Sequence, residues 1–132
     1  MPTRPLYRIL VVDDDPDIRM VIEATLEEHY EVVTAHDGLD ALEKLSQYEP
    51  DFIILDMVMP LMDGLATCAA VRRTPSFSAV PVLFLSAHGS REKISKTYEL
   101  GGNLFLKKPI EPERLLRNVE MFFKEERSPQ PR

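Results

Sequence analysis

The chain has 132 residues, an apolar fraction of 44%, a charged fraction of 29% and a formal net charge of −6. That length suits one domain with a real core, and the negative charge argues against binding nucleic acid through the chain's own field. One cysteine, Cys68, excludes an internal disulfide and a cysteine-based zinc site, and no apolar run approaches the ~18 residues of a membrane span or forms a signal core, so the cytoplasm is the expected location.

Residues 1–6 carry two prolines and read as a loose tail. Residues 8–12 are an apolar run, the pattern of a strand buried on both faces. Asp13-Asp14-Asp15-Pro16 ends it. Asp15 suits a helix N-cap and Pro16 the first turn, and Ile18, Val21, Ile22, Thr25 and Leu26 then recur at helical spacing. Residues 30–35 alternate and are rich in valine, which predicts a second strand. Asp37-Gly38 breaks the chain, and Leu39, Ala41, Leu42 and Leu45 mark a second helix that closes near Pro50. Ile53-Ile54-Leu55 then runs straight into Asp56, so a central strand should stop at that carboxylate. Met59-Pro60 and Asp63-Gly64 supply the loop that follows.

Residues 65–73 read as a short helix, ended by Thr74-Pro75-Ser76, with Cys68 expected on a partly buried face. Residues 81–85 form a fourth apolar run and 86–90 a loop. Residues 92–100 give a polar helix capped by Gly101-Gly102, and 103–106 a short strand stopped by Lys107-Lys108-Pro109. The last helix is expected over 113–125, with Leu115, Leu116, Val119, Phe122 and Phe123 as its apolar stripe. Residues 127–132 have the composition of a disordered end or the start of a linker.

Five strands alternating with five helices make an α/β fold: one domain, residues 7–126, with a parallel sheet, right-handed crossovers and helices on both faces. In such sheets ligands bind at the carboxyl ends of the strands. Those ends offer Asp13 and Asp14, Asp56, Ser86 and Lys108. Taken singly, these are ordinary loop and surface residues, and Asp15 is a helix cap. Their joint placement at successive strand ends is what such readings leave unexplained. Three carboxylates in one cleft repel one another, which a divalent cation and the Lys108 ammonium can relieve. Hard oxygen ligands in small number suit Mg²⁺. Asp56 is then a candidate nucleophile, because carboxylates can form aspartyl-phosphates, while Ser86 can donate to a phosphoryl oxygen and Lys108 can pair with it.

The matching segments are Val11-Val12-Asp13-Asp14, Leu55-Asp56 with Met59-Pro60 and Asp63-Gly64, Leu85-Ser86-Ala87, and Lys108-Pro109. Through them the chain resembles the receiver domain of bacterial two-component response regulators, of the chemotaxis-regulator-like kind, over nearly its whole length. The resemblance implies a doubly wound, flavodoxin-like (βα)5 sandwich with strand order 2-1-3-4-5. It implies that Asp56 accepts a phosphoryl group from the phosphohistidine of a histidine kinase or phosphotransfer protein. It implies Mg²⁺ held by Asp14 and Asp56 directly, by Asp13 mainly through water, and by the Val58 backbone carbonyl. Ser86 and Phe105 match the family's switch hydroxyl and switch aromatic.

The implied partners also include a downstream effector or a covalently linked output domain, with neither nucleic acid nor membrane bound by this domain itself. The implied role is a signalling domain that assists its own phosphotransfer and dephosphorylation, not an enzyme. Two departures stand out. The position of Phe105 is often Tyr in the family, and the acidic pair common just before it is here Asn103-Leu104, which leaves the dimer mode served by that pair unsupported. His88 could also line the phosphoryl site. Rival readings are a Mg²⁺-dependent, aspartate-based phosphatase, a flavodoxin-like cofactor binder and a phosphorylation-independent interaction module. The first resembles the chain only in part and lacks its second Asp, since Val58 holds that position. The second would have its phosphate repelled by Asp13-Asp14-Asp15, and the third predicts loss of an acidic or Lys residue that is present.

Overall fold

Apolar runs that stop abruptly at charged or turn residues set the frame of this molecule. A computed structural model describes residues 6–87, 91–99 and 101–127. The expected tails, apart from Leu6 and Arg127, and the loop residues His88, Gly89 and Ser90 lie outside the described residues. The elements run β1 (Arg8–Val12), α1 (Pro16–Leu26), β2 (Glu31–Ala35), α2 (Gly38–Tyr48), β3 (Phe52–Asp56), α3 (Gly64–Arg72), a 3-10 turn (Pro75–Phe77), β4 (Val82–Ser86), α4 (Arg91–Glu99), β5 (Leu104–Lys107) and α5 (Pro112–Arg127). All strand pairs are parallel, in the order β2-β1-β3-β4-β5. This is the α/β, flavodoxin-like arrangement implied by the resemblance.

Alternation along the strands divides the core in two. Leu10, Val12, Ile53, Leu55, Val82 and Phe84 pack with Ala41, Leu45, Cys68 and Val71 of α2 and α3. Ile9, Val11, Phe52, Ile54, Leu83 and Leu85 pack with Ile22 and Leu26 of α1 and Leu115, Val119 and Phe123 of α5. Both faces of β3 and β4 are therefore covered, and every residue of those two strands is buried. At the amino ends of the strands, Tyr7 stacks on Phe123 with ring centroids 4.2 Å apart, which ties α5 to the start of β1.

Three helices start on an Asp cap in the loop that follows a strand. Asp15, Asp37 and Asp63 accept from the backbone N–H groups of Asp17, Asp40 and Ala66. At the end of α4, Gly101 adopts φ +89°, a conformation that favours glycine, and its N–H donates to Tyr98 O at 3.0 Å.

The structure departs from the sequence expectations in detail. Ser86 is the last residue of β4, not a loop residue. Pro81 precedes the strand, yet its carbonyl still accepts from Ile53 N at 2.9 Å. Asn103 sits just before β5, where its side-chain oxygen accepts from Val82 N at 2.9 Å. Cys68 is fully buried, not partly so. Val21 and Leu39, expected within the apolar recurrences of α1 and α2, are 44% and 53% exposed. Among the described residues, no helix is long and apolar enough to cross a membrane.

Candidate functional site

The register Val12↔Leu55 places the next residues, Asp13 and Asp56, side by side at the carboxyl ends of β1 and β3. Asp13 is fully buried and Asp56 is 4% exposed, whereas Asp14 is exposed. Ligand oxygens of Asp13, Asp14 and Asp56 lie within 4.8 Å of one another. Lys108, just past β5, reaches into this cluster. Its ammonium donates to Asp13 Oδ2 at 3.0 Å and lies 3.2 Å from Asp56 Oδ1.

The backbone fixes these positions. Asp13 N–H donates to Ala35 O at 3.2 Å, and Lys108 N–H donates to Ser86 O at 2.8 Å. The latter bond ties the Lys108 loop to the end of β4. Asp15 N–H donates to Asp13 Oδ1 at 2.9 Å. After β3, Gly64 N–H donates to Met57 O at 2.9 Å and folds α3 back against the strand end. That approach is tight, since a Cβ at Gly64 would lie 2.3 Å from the Asp56 carbonyl oxygen. Val58, next in the loop, is exposed.

Burial, and next the charge of Asp13, raise the Asp56 pKa from 3.8 to about 6, with Lys108 and the Val58 N–H pulling the other way. For Lys108, burial pulls the pKa down, but the hydrogen bond and charge of Asp13, together with Asp56, outweigh it, so the net direction is up. Lys108 therefore stays a cation, and it is what allows two carboxylates to stay side by side.

The sequence-predicted residues Asp13, Asp14, Asp56 and Lys108 converge in one place. Ser86 ends the neighbouring strand, buried, one residue past the Asp56↔Leu85 pair. Phe105 lies in register with Phe84 and packs against the α2–α3 side of the core. His88 lies outside the described residues. Sequence reasoning missed Arg19, whose guanidinium donates to Asp13 O at 2.7 Å. Its signal was a cation near the start of α1, where a helix dipole favours anions.

Residues 9–120 match the family described as Response regulator receiver domain. PilG of Pseudomonas aeruginosa is 36% identical over 110 residues, spanning 83% of this chain and 82% of PilG. RpaA of Synechocystis, described as a DNA-binding dual master transcriptional regulator, is 35% identical over 113 residues, but the chain spans only 47% of RpaA. Among solved structures, the chemotaxis protein CheY4 of Vibrio cholerae matches with a TM-score of 0.85 at 37% identity, over 88% of this chain and 98% of CheY4.

Proposed function

The chain belongs to the response regulator receiver domain family, and from that premise we propose that Asp56 is the phosphoacceptor of a two-component phosphorelay. The observation that carries this reading is Lys108 Nζ set between Asp13 Oδ2 at 3.0 Å and Asp56 Oδ1 at 3.2 Å, beside the three-carboxylate cluster.

In the reaction, an Asp56 carboxylate oxygen attacks the phosphorus of a phosphohistidine on a histidine kinase or phosphotransfer protein. The new O–P bond forms as the N–P bond breaks, and the electron pair leaves with the imidazole nitrogen. Asp56 must be ionised to attack, and a pKa of about 6 leaves it mostly so at neutral pH. In this step Lys108 would pair with a phosphoryl oxygen, and the Ser86 hydroxyl would donate to another.

The donor set fits Mg²⁺, because it consists of hard carboxylate oxygens. Asp14, exposed, and Asp56 would hold the ion directly. Asp13, whose two oxygens already accept from Asp15 N and Lys108 Nζ, would act mainly through water, with the Val58 backbone carbonyl as the remaining protein ligand. Bound there, the ion supplies positive charge against the phosphoryl oxygens.

On this reading residues 7–126 form the signalling unit, in the cytoplasm. The unit assists gain and loss of its own phosphoryl group and turns over no separate substrate. Its output passes to a downstream effector or a linked output domain, through Ser86 and Phe105 as switch residues. The net charge of −6 argues against nucleic-acid contact through the chain's own field. The test is intact-mass measurement after phosphoramidate and Mg²⁺. Wild type should gain one phosphoryl group and Asp56→Asn none; an unchanged gain in the variant would overturn the assignment.

A further inference from the structure

Asp14 is the exposed member of the acidic cluster, so its aim depends on the backbone that carries it. That backbone is held at three successive peptide units. The unit between Val12 and Asp13 is held through Asp13 N–H, which donates to Ala35 O at 3.2 Å. The unit between Asp13 and Asp14 is held through the Asp13 carbonyl, which accepts from Arg19 Nη1 at 2.7 Å. The unit between Asp14 and Asp15 is held through Asp15 N–H, which donates to Asp13 Oδ1 at 2.9 Å.

A peptide unit is planar and rigid, so only φ and ψ of Asp14 separate the second plane from the third. Hydrogen bonds to both planes restrain both angles, and with them the direction of the Asp14 Cα–Cβ bond. Asp13 supplies one of these two pins and Arg19 the other.

We infer that Arg19 is a positioning residue for the metal-binding reading of this site: it orients Asp14 by holding the peptide plane that precedes it. The inference rests on the proposal that Asp14 is a metal ligand. Arg19 touches none of the reacting atoms. It also brings a positive charge close to a site meant for a cation, so its two effects oppose each other. Order favours metal binding and charge disfavours it.

The two effects differ in how they treat different ions. Mg²⁺ demands near-ideal octahedral geometry, whereas Ca²⁺ accepts irregular and variable ligand sets. Loss of orientation should therefore weaken Mg²⁺ more than Ca²⁺. Loss of a nearby charge should strengthen both.

The experiment is calorimetric titration of wild type, Arg19→Met and Arg19→Lys with Mg²⁺ and with Ca²⁺, with thermal melts run alongside. Met keeps the apolar stem and removes donor and charge together. Lys keeps one donor, and only one N–H of Arg19 is used on Asp13. Arg19→Met should lose about tenfold in Mg²⁺ affinity, in the range usual for groups that support metal ligands, and clearly less in Ca²⁺ affinity. Arg19→Lys should return to within about threefold of wild type for Mg²⁺. Unchanged or tighter Mg²⁺ binding in Arg19→Met would overturn the inference alone. So would an equal loss for both ions, which is the mark of general loosening. Wild type that binds neither ion would overturn the metal reading itself, and this inference with it.

Discussion

Asp56 is where the proposed function and stability pull apart. Burial first and Asp13 second raise its pKa from 3.8 to about 6. Because the folded value lies above the unfolded one, folding takes up a proton between them. The resulting contribution to stability is fully present below about 4 and is lost as pH rises through about 6. At neutral pH the metal-free fold holds a buried charge that it would be more stable without. Asp56→Asn, with no divalent cation present, should gain about 1–3 kcal/mol at pH 7 and little at pH 4. Urea unfolding at the two pH values reads this directly, and an equal gain at both would remove Asp56 titration as the cause. Lys108 works in the opposite direction, lowering the Asp56 pKa by charge and hydrogen bond. Lys108→Ala should push the Asp56 pKa above its present value of about 6, as followed by carboxyl carbon NMR. A lower value in that variant would mean that Asp13 and Asp56 do not share the lysine in solution.

The element that aims Asp56 is the turn from β3 into α3. Gly64 passes so close to the Asp56 carbonyl that a Cβ would lie 2.3 Å from it. Gly64→Ala must therefore shift either the turn or the end of β3, and it should cost about 2 kcal/mol or more. Asp63→Ala, which removes the cap of the same helix, should cost about 1 kcal/mol and leave the strand end in place. Denaturant midpoints of the two variants check the ranking, and the reverse order would show that the turn yields easily. The strand ends themselves were legible in the sequence, because Val12 meets Asp13 and Leu55 meets Asp56 without transition. Register was less so. Strands buried on both faces show no alternation, so no pattern distinguishes Val12↔Leu55 from a neighbouring pairing. The exposure of Val21 and Leu39 was equally hidden. Helical spacing says which residues share a stripe, not how much of its edge the sheet covers. Arg19 escaped because its bond to Asp13 depends on how α1 leaves the strand, a distance that no spacing rule carries.

Across the whole molecule, the proposed signal must travel from Asp56 to the α4–β5–α5 face. Phe84 and Phe105 are paired in register on adjacent strands. Gly102 abuts the Phe84 ring, where a Cβ would come within 2.7 Å. These contacts join the middle of β4 to β5 and to the turn before it. A phosphoryl group near Ser86 that draws its hydroxyl inward would free space for Phe105 to turn. With Phe in place of Tyr, no tip hydrogen bond holds the turned state, so coupling of about 1–3 kcal/mol must come from packing. Beryllofluoride, a phosphoryl mimic, should shift the amides of Phe105, Ile94 and Tyr98 in wild type and much less in Ser86→Ala. Shifts confined to the pocket would leave a phosphate store without a switch. All of this presupposes that the phosphoryl group lands on Asp56. The direct measurement is borohydride reduction of the protein after phosphoramidate and Mg²⁺, followed by peptide sequencing in the mass spectrometer. An acyl phosphate is reduced to an alcohol, so homoserine at position 56 is the expected product; homoserine at Asp13 or Asp14, or none anywhere, would contradict it.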